Sequence, residues 1–378
     1  MGKVVVLGGG RVGRFIAERL YTRGSTDNVT IVDNRPHGSI GCPPGVVHQR
    51  SHVEPTLLPQ IIDQAALVVN ALPGCIGYQT LKRIIECGKD CIDISFMPED
   101  PRDLNDLALK NQTVAMVDMG VAPGLCGVFV GNEYYNTFQK CDMAAIAVGG
   151  LPFYPPDKYH CTFSPADIIE EYTRPARLRR YAEDISLPAL TDIQPFPSYP
   201  FAYDGHPLSS AKMESFLTDG LRTLLELDIP NMEERTIRYQ GYAQEMIALR
   251  ELGYFEPDKL PETAKHLEKL WEPNLPINEI TIMSIVMQGI SHGGEFIRAE
   301  LNLVDDTHRE NFATSMARTT AMPAVAMAEM LIKKDYAAMP FGVMTPEDVG
   351  EDGGFATYIY DRLIEENVKL EITHTPLT

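Results

Sequence analysis

Residues 3–13 read KVVVLGGGRVG, and this stretch decides the fold. Val4, Val5, Val6 and Leu7 form a short apolar run, the pattern of a buried strand. Gly8, Gly10 and Gly13 follow it as G-x-G-x-x-G. From Arg11 to Arg23 the apolar residues Val12, Phe15, Ile16 and Leu20 recur near helical spacing, and Val29–Val32 is a second β-branched run closed by Asp33. A glycine triplet alone says little. The order strand, triplet, helix, strand, acid specifies a dinucleotide site.

Each part has a physical task there. Gly8 permits the tight turn out of the strand, Gly10 lets the backbone approach a pyrophosphate, and Gly13 lets helix and strand pack closely. The free N–H groups of Arg11, Val12 and Gly13 at the helix start point at the anion. Asp33 lies where a carboxylate accepts hydrogen bonds from the adenosine ribose. It would repel a 2′-phosphate, which favours NAD over NADP, while Arg35 nearby offers a phosphate a partner. A glycine-rich turn that binds nothing, or a flavin or nucleoside site, are the competing readings of the same pattern.

The 378 residues suffice for two domains with a substantial core. Hydrophobic residues at 44% and charged residues at 22% fit an ordinary globular protein. Lys plus Arg number 33 against 52 Asp plus Glu, a net charge of −19 that argues against nucleic acid and anionic membrane as partners. The seven cysteines include no C-x-x-C pair, so neither a zinc site nor a disulfide framework is expected. Reduced thiols, the absence of a signal-peptide pattern and the absence of a membrane-length apolar run point to the cytoplasm.

After Asp33 comes a Gly/Pro-rich loop, then a helix over Pro55–Gln64 and a strand over Ala66–Ala71 that runs into Leu72-Pro73. Strand carboxyl ends face the ligand in a doubly wound sheet, so Asn70, Ala71, Leu72 and Pro73 are expected beside the cofactor. A helix over Tyr78–Gly88, a strand over Cys91–Ile94, a helix around Asp106–Lys110 and a strand over Thr113–Val117 continue the alternation of a parallel sheet. At Asp118 the texture changes. The segment Asp118–Gly124, DMGVAPG, reads as an exit hinge to a second domain, with Asp118 at a strand end facing the cleft or serving only to form the turn.

Beyond it, Cys141–Val148 reads as a strand turned by Gly149–Pro152, and Ser164-Pro165 starts a helix to Tyr172. Leu187–Pro207 reads as a surface loop, Thr236–Tyr239 as a strand, and Gln244–Leu252 as a helix ended by Gly253. Glu279–Gln288 and Glu295–Val304 read as a hairpin of an antiparallel sheet with one solvated face. Ala313–Ile332 is a long Ala- and Met-rich helix, Thr345–Asp348 caps another, and Val368–Ile372 is a final strand.

At this point the chain resembles a known family. VLGGGRVG at the start, VDMGVAPG at 117–124, VGGLP at 148–152, MESFLTDG at 213–220, TIRYQGYAQEM at 236–246 and ARTTAMPAVAMAEML at 317–331 are similar to segments of the saccharopine dehydrogenase-like oxidoreductases. Within it the likeness is nearest to the lysine 6-dehydrogenase branch, which oxidises the ε-amine of L-lysine with NAD. The resemblance implies an α/β fold: a Rossmann doubly wound parallel sheet with an inserted α+β domain for substrate binding and dimerisation. It places residues 1–122 and 323–378 in the nucleotide domain and 123–322 in the inserted one, and it implies a homodimer or higher homo-oligomer. Glutamate-forming saccharopine dehydrogenases are expected to be longer. One departure stands out: the family carries Gly-His after the TIRY strand, where this chain has Gly241-Tyr242.

Oxidising a primary amine by hydride transfer sets its own demands. The amine must be neutral, so a base must take a proton from the ammonium or the site must lower the amine's pKa. An amino-acid substrate also brings a carboxylate, which calls for a cation, best a bidentate arginine. Arg238 is the candidate anchor, with a surface pairing to an acid such as Glu233 as the alternative. Asp118, Tyr242 and His160 are the candidate proton handlers, although a lone histidine such as His160 is more often a structural residue than a base. Glu171 or Glu170 would hold the α-amino group unless they form a solvated helix face, and Thr218 would contact substrate through its hydroxyl. Besides lysine oxidation, the sequence allows a saccharopine or carboxynorspermidine dehydrogenase acting on a secondary amine, and a non-catalytic NAD-sensing protein.

Overall fold

The computed structural model describes residues 2–153, 165–197, 208, 212–271, 279–306, 313–333 and 339–377. The KVVVL run forms β1 (Lys3–Leu7), and the triplet leads into α1 (Arg11–Thr22). Phe15, Ile16, Ala17 and Leu20 make the buried stripe of that helix, as their spacing requires. There follow β2 (Val29–Asp33), β3 (Val47–Arg50), α2 (Leu58–Ile62), β4 (Ala65–Asn70), α3 (Gly74–Glu86), β5 (Cys91–Asp93), α4 (Asn105–Asn111), β6 (Val114–Met116) and α5 (Leu125–Asn136). The residues of β3, VHQR, are exposed or half-buried. An edge strand of that kind carries no apolar run, so the sequence pattern passes over it.

The middle of the chain builds a second sheet from β7 (Phe138–Pro152), α6 (Pro165–Thr173), β8 (Ala176–Arg180), β9 (Glu183–Leu187), β10 (Gln194–Phe196), β11 (Met213–Leu217), β12 (Met232–Tyr239), α7 (Tyr242–Glu251), α8 (Leu260–Leu270), β13 (Glu279–Ser291) and β14 (Phe296–Asp305). The expected turn at Gly149–Pro152 does not form. β7 runs straight through it, paired with β13 as far as Pro152↔Glu279. Gly149 is there for close approach: a Cβ would lie 2.7 Å from the Ile237 carbonyl oxygen of β12. The hairpin of β13 and β14 forms as expected, its alternation separating a buried from a half-buried face.

Then come α9 (Ser315–Lys333), β15 (Gly342–Met344), α10 (Pro346–Glu351), α11 (Gly353–Glu365) and β16 (Lys369–Pro376). Thr345 and Asp348 complete a capping box at the start of α10. The first sheet is parallel in the order β15-β6-β5-β4-β1-β2-β3, which is the doubly wound arrangement. The second is mixed, in the order β10-β11-β12-β7-β13-β14-β16, with β8 and β9 attached to β12. The chain divides into one unit of residues 1–128 and 317–362 and another of 129–316 and 363–378.

Two sequence expectations shift here. The passage into the second unit lies at Val128–Phe129 inside α5, four residues beyond the end of the DMGVAPG segment, which stays with the first unit as a turn. The tail also divides. Residues 363–378, expected in the nucleotide domain, belong to the second unit, because β16 pairs with β14 from Lys369↔Val304 to Pro376↔Ile297. Among the described residues no helix is long and apolar enough to cross a membrane.

Candidate active site

The glycine bend of the first unit is held by the backbone of its neighbours. Gly8 takes φ +101°, and a Cβ there would lie 2.5 Å from the Ala71 carbonyl oxygen. A Cβ on Gly13 would lie 2.1 Å from the Gly8 carbonyl oxygen, so only glycine lets α1 sit this close to the turn. Gly10 differs from both: a Cβ on it would meet nothing within 4 Å, so the space before the bend is open. The first turn of α1, carrying Arg11, Val12 and Gly13, has no side-chain cap and no acid. Open space, uncapped N–H groups and a helix start together fit a bound pyrophosphate.

Asp33 closes β2 beside this bend. The Gly9 N–H donates to Asp33 Oδ2 at 2.8 Å, and Arg35 donates from Nε and Nη2 to the two carboxylate oxygens, both at 2.8 Å. Burial pushes the Asp33 carboxyl up. The hydrogen bonds from Arg35 and Gly9 outweigh it and hold the group at about 2. Arg14 stands close by, and burial together with the charges of Arg35 and Arg11 lowers its pKa.

Asn70, Ala71, Leu72 and Pro73 lie at the end of β4 and just beyond it, and the Asn70 side chain is bonded within the fold. It is fully buried and donates to Asp93 Oδ2 at 2.5 Å. Asp93, at the end of β5, also accepts from the Ser95 N–H at 2.7 Å and the Ser95 hydroxyl at 2.6 Å. Burial drives its carboxyl up to about 7 against these bonds, and the charge of Asp118 adds to the rise. Asp118 itself is buried at φ +54°, in the left-handed region that aspartate tolerates in turns. The strand-end rule that nominated Asn70 applies equally to Asp93, and only the shortness of β5 hid it.

In the second unit the sequence candidates gather on one face of β11 and β12. Directly opposed residues of an antiparallel pair share a face, and so do alternate residues of a strand. The pairs Glu214↔Arg238 and Phe216↔Thr236 therefore set Glu214, Phe216, Thr218, Glu234, Thr236 and Arg238 side by side. Arg238 is buried. Its Nη2 donates to Glu171 Oε2 of α6 at 2.9 Å, and Nη1 donates to the Ile237 carbonyl at 2.9 Å. The alternative of a surface arginine paired with Glu233 is overturned: Glu233 faces Arg235 and Arg180. Glu170 pairs with Arg174 just past the end of α6, whereas Glu171 pairs with Arg238.

Tyr242 opens α7 in the place of the family histidine. Its ring lies 5.8 Å from the Arg238 guanidinium carbon, and its hydroxyl is 2.9 Å from that of Tyr172. Burial raises the Tyr172 hydroxyl far above its ordinary pKa, and Tyr242 adds to that. Thr218 donates to Glu234 Oε2 at 2.5 Å and lies 3.0 Å from the Thr236 hydroxyl. Sequence reading missed Glu234 and Tyr172. Both signals were present, since Glu234 precedes Arg238 by four on an alternating strand and Tyr172 follows Glu171. His160 lies outside the described residues.

Residues 4–116 match the model of the saccharopine dehydrogenase NADP binding domain, and residues 120–368 match that of the saccharopine dehydrogenase C-terminal domain. Among solved structures, the chain is similar to apo saccharopine dehydrogenase (L-Glu forming) from Saccharomyces cerevisiae, with TM-score 0.76 and 15% identity over 99% of this chain and 100% of that one. It is also similar to a homospermidine synthase from Legionella pneumophila in complex with NAD, with TM-score 0.64 and 14% identity over 100% of this chain and 92% of that one. The paired domain matches place the chain in the saccharopine dehydrogenase family, oxidoreductases of amines that work with a nicotinamide cofactor.

Proposed function

We propose that the chain oxidises the ε-amine of L-lysine, with NAD as the hydride acceptor. The observation that carries this reading is the charge pattern of the β11–β12 face. Among the described residues of that face Arg238 is the cation, and it stands with the acids Glu171, Glu234 and Glu214. One guanidinium suits one substrate carboxylate, and an excess of acid suits a substrate with two amines. Glu214 is committed to the fold, accepting from the Gly241 and Ala243 N–H groups at the start of α7. Glu171 is half-committed to Arg238 and is placed to exchange that partner for the substrate α-ammonium.

The roles then divide. Arg238 binds the carboxylate, with Tyr172 and Tyr242 fixing its surroundings through their shared hydrogen bond. Thr218 presents its hydroxyl from the same face as Arg238. The nicotinamide ring, when bound, takes the hydride. Asp33 supports NAD over NADP, since a carboxylate held ionised by Arg35 and Gly9 accepts ribose hydroxyls and repels a 2′-phosphate.

The test is a rate screen of purified protein with NAD⁺ and NADP⁺ against lysine, diamines and saccharopine. NADH formed with lysine alone supports the reading. Preferential oxidation of saccharopine would replace it with the second reading, a secondary-amine dehydrogenase, which the end-to-end likeness to the yeast enzyme favours.

A further inference from the structure

Among the described residues, buried Glu234 has no ion-pair partner. Its charged neighbours are Glu171 and Asp219, both acids, and each has another partner: Arg238 donates to Glu171, and Arg177 donates to both oxygens of Asp219 at 2.8 and 2.9 Å. What meets the Glu234 carboxyl is the Thr218 hydroxyl at 2.5 Å and the Gly220 N–H. Gly220 is needed for this approach, because a Cβ there would lie 2.5 Å from the Glu234 carboxyl carbon. Thr218 in turn has the Thr236 hydroxyl at 3.0 Å, so three oxygens stand in a hydrogen-bonded row. A buried carboxyl so poorly compensated is costly to a fold that gains nothing from it.

We propose that Glu234 is a proton store for the amine substrate and that the Thr218 hydroxyl is its gate. The inference rests on the amine-oxidation reading given above. The step is a proton exchange with no change of oxidation state. The substrate ammonium gives a proton to Thr218 Oγ1 while the Thr218 O–H proton passes to Glu234 Oε2. A neutral amine, an unchanged threonine and a neutral carboxylic acid result, and the acid later gives its proton to water. Burial lifts the Glu234 carboxyl to about 7, with Thr218 and Gly220 lowering it and the charges of Glu171 and Asp219 raising it. Such a group takes and gives up a proton near neutral pH. Glu234 acts through Thr218, so it takes up the proton without touching the substrate.

Two measurements on the full chain test this. Infrared titration from pH 5 to 9 is expected to show a carboxylic-acid band that vanishes near neutrality and is missing in Glu234→Gln. Asp93 carries a second carboxyl of this kind, so the band is assigned by difference. Deuterium exchange into it is expected to slow at least tenfold in Thr218→Val and to recover in Thr218→Ser. In turnover with NAD⁺ and lysine, kcat/KM of the wild type is expected to fall below about pH 7. Glu234→Gln and Thr218→Val are expected to lose the acid limb and about 100-fold in rate, with NAD binding and circular dichroism unchanged. No band titrating near neutrality overturns the proposal, and so do variants within twofold of wild type that keep the limb. A wild type that ignores lysine strikes the lysine reading alone, because the band and its Thr218-gated exchange are read without substrate.

Discussion

Asp33 and Glu234 carry the same functional group, each is largely buried, and they stand at opposite ends of the carboxyl range. The Asp33 side chain is 11% exposed and its pKa is about 2, whereas Glu234 is 3% exposed with a pKa of about 7. Burial raises both, so burial is not what separates them. Asp33 meets a guanidinium and two backbone N–H groups. Glu234 meets a hydroxyl and one N–H, with two acids beyond. A carboxyl that must stay negative beside a dinucleotide is given cations and N–H groups, and one that must exchange a proton is denied them.

The largest effect that would break this comparison is structural. Gly13→Val sets a side chain against the Gly8 carbonyl, where a Cβ alone already lies 2.1 Å from the oxygen. Backbone cannot yield as a flexible side chain can. The variant is expected to lose about 3 kcal/mol or more in denaturant unfolding and all heat of NAD binding in calorimetry. Next comes Arg238→Met, which removes the anchor and its ion pair with Glu171. Lysine kcat/KM is expected to fall about 10²–10³-fold, with NAD affinity unchanged. Unchanged lysine kinetics would show that the β11–β12 face is not the substrate face.

A third effect separates the two carboxyls directly. The folded chain holds the Glu234 proton up to about pH 7, whereas the unfolded chain releases it near the ordinary 4.5. Between those values the folded state binds more protons, so the stability tied to Glu234 falls as pH rises through that window. Glu234→Gln lacks this penalty. Its stability relative to wild type is expected to improve by about 3 kcal/mol between pH 4.5 and 7.5, read from denaturant midpoints. Asp33 gives the opposite sign at another pH. Its contribution is present above the ordinary 3.8 and is lost only as pH falls toward about 2. Substitution at Asp33 should therefore shift stability by the same amount at pH 5 and pH 8.

How far each region could be read from sequence follows from the kind of constraint that shapes it. The nucleotide half was open to reading because its demands are local: Gly8, Gly10, Gly13 and Asp33 act within one βαβ unit, so spacing encodes geometry. Arg35, read from the sequence as a partner for a phosphate, pairs with Asp33 in the structure, two residues away. The β11–β12 face was read only in part. Arg238 and Thr218 emerged from family segments, but the partner of each comes from elsewhere in the chain: Glu171 is 67 residues from Arg238, and Glu234 is 16 from Thr218. The mistaken turn at Gly149 has the same origin. Glycine there answers to the backbone of β12, about 90 residues away, and local pattern reports it only as a breaker. The C-terminal strand joined the second sheet because β14 offered an edge, a property of the assembled sheet.

The smallest expected effect sharpens the comparison most, because it asks what Asp33 is for. Its carboxylate both ties down the glycine bend through the Gly9 N–H and occupies Arg35. Asp33→Ser keeps a small polar group and releases the guanidinium. If the carboxylate holds the ribose hydroxyls, NAD affinity should weaken about tenfold, the value of one charged hydrogen bond. NADP affinity should rise by a similar factor, because Arg35 then has a phosphate to meet, with Arg14 beside it. Calorimetry with both nucleotides on wild type and variant at pH 8, where the 2′-phosphate is fully ionised, reads the ratio, and the wild-type carboxyl at about 2 is ionised there as well. If the variant keeps its NAD affinity and loses thermal stability instead, Asp33 is a brace of the bend and not a ribose ligand. The contrast with Glu234 would then be one between a structural carboxylate and a proton carrier, and cofactor choice would rest with Arg35 and Arg14 alone.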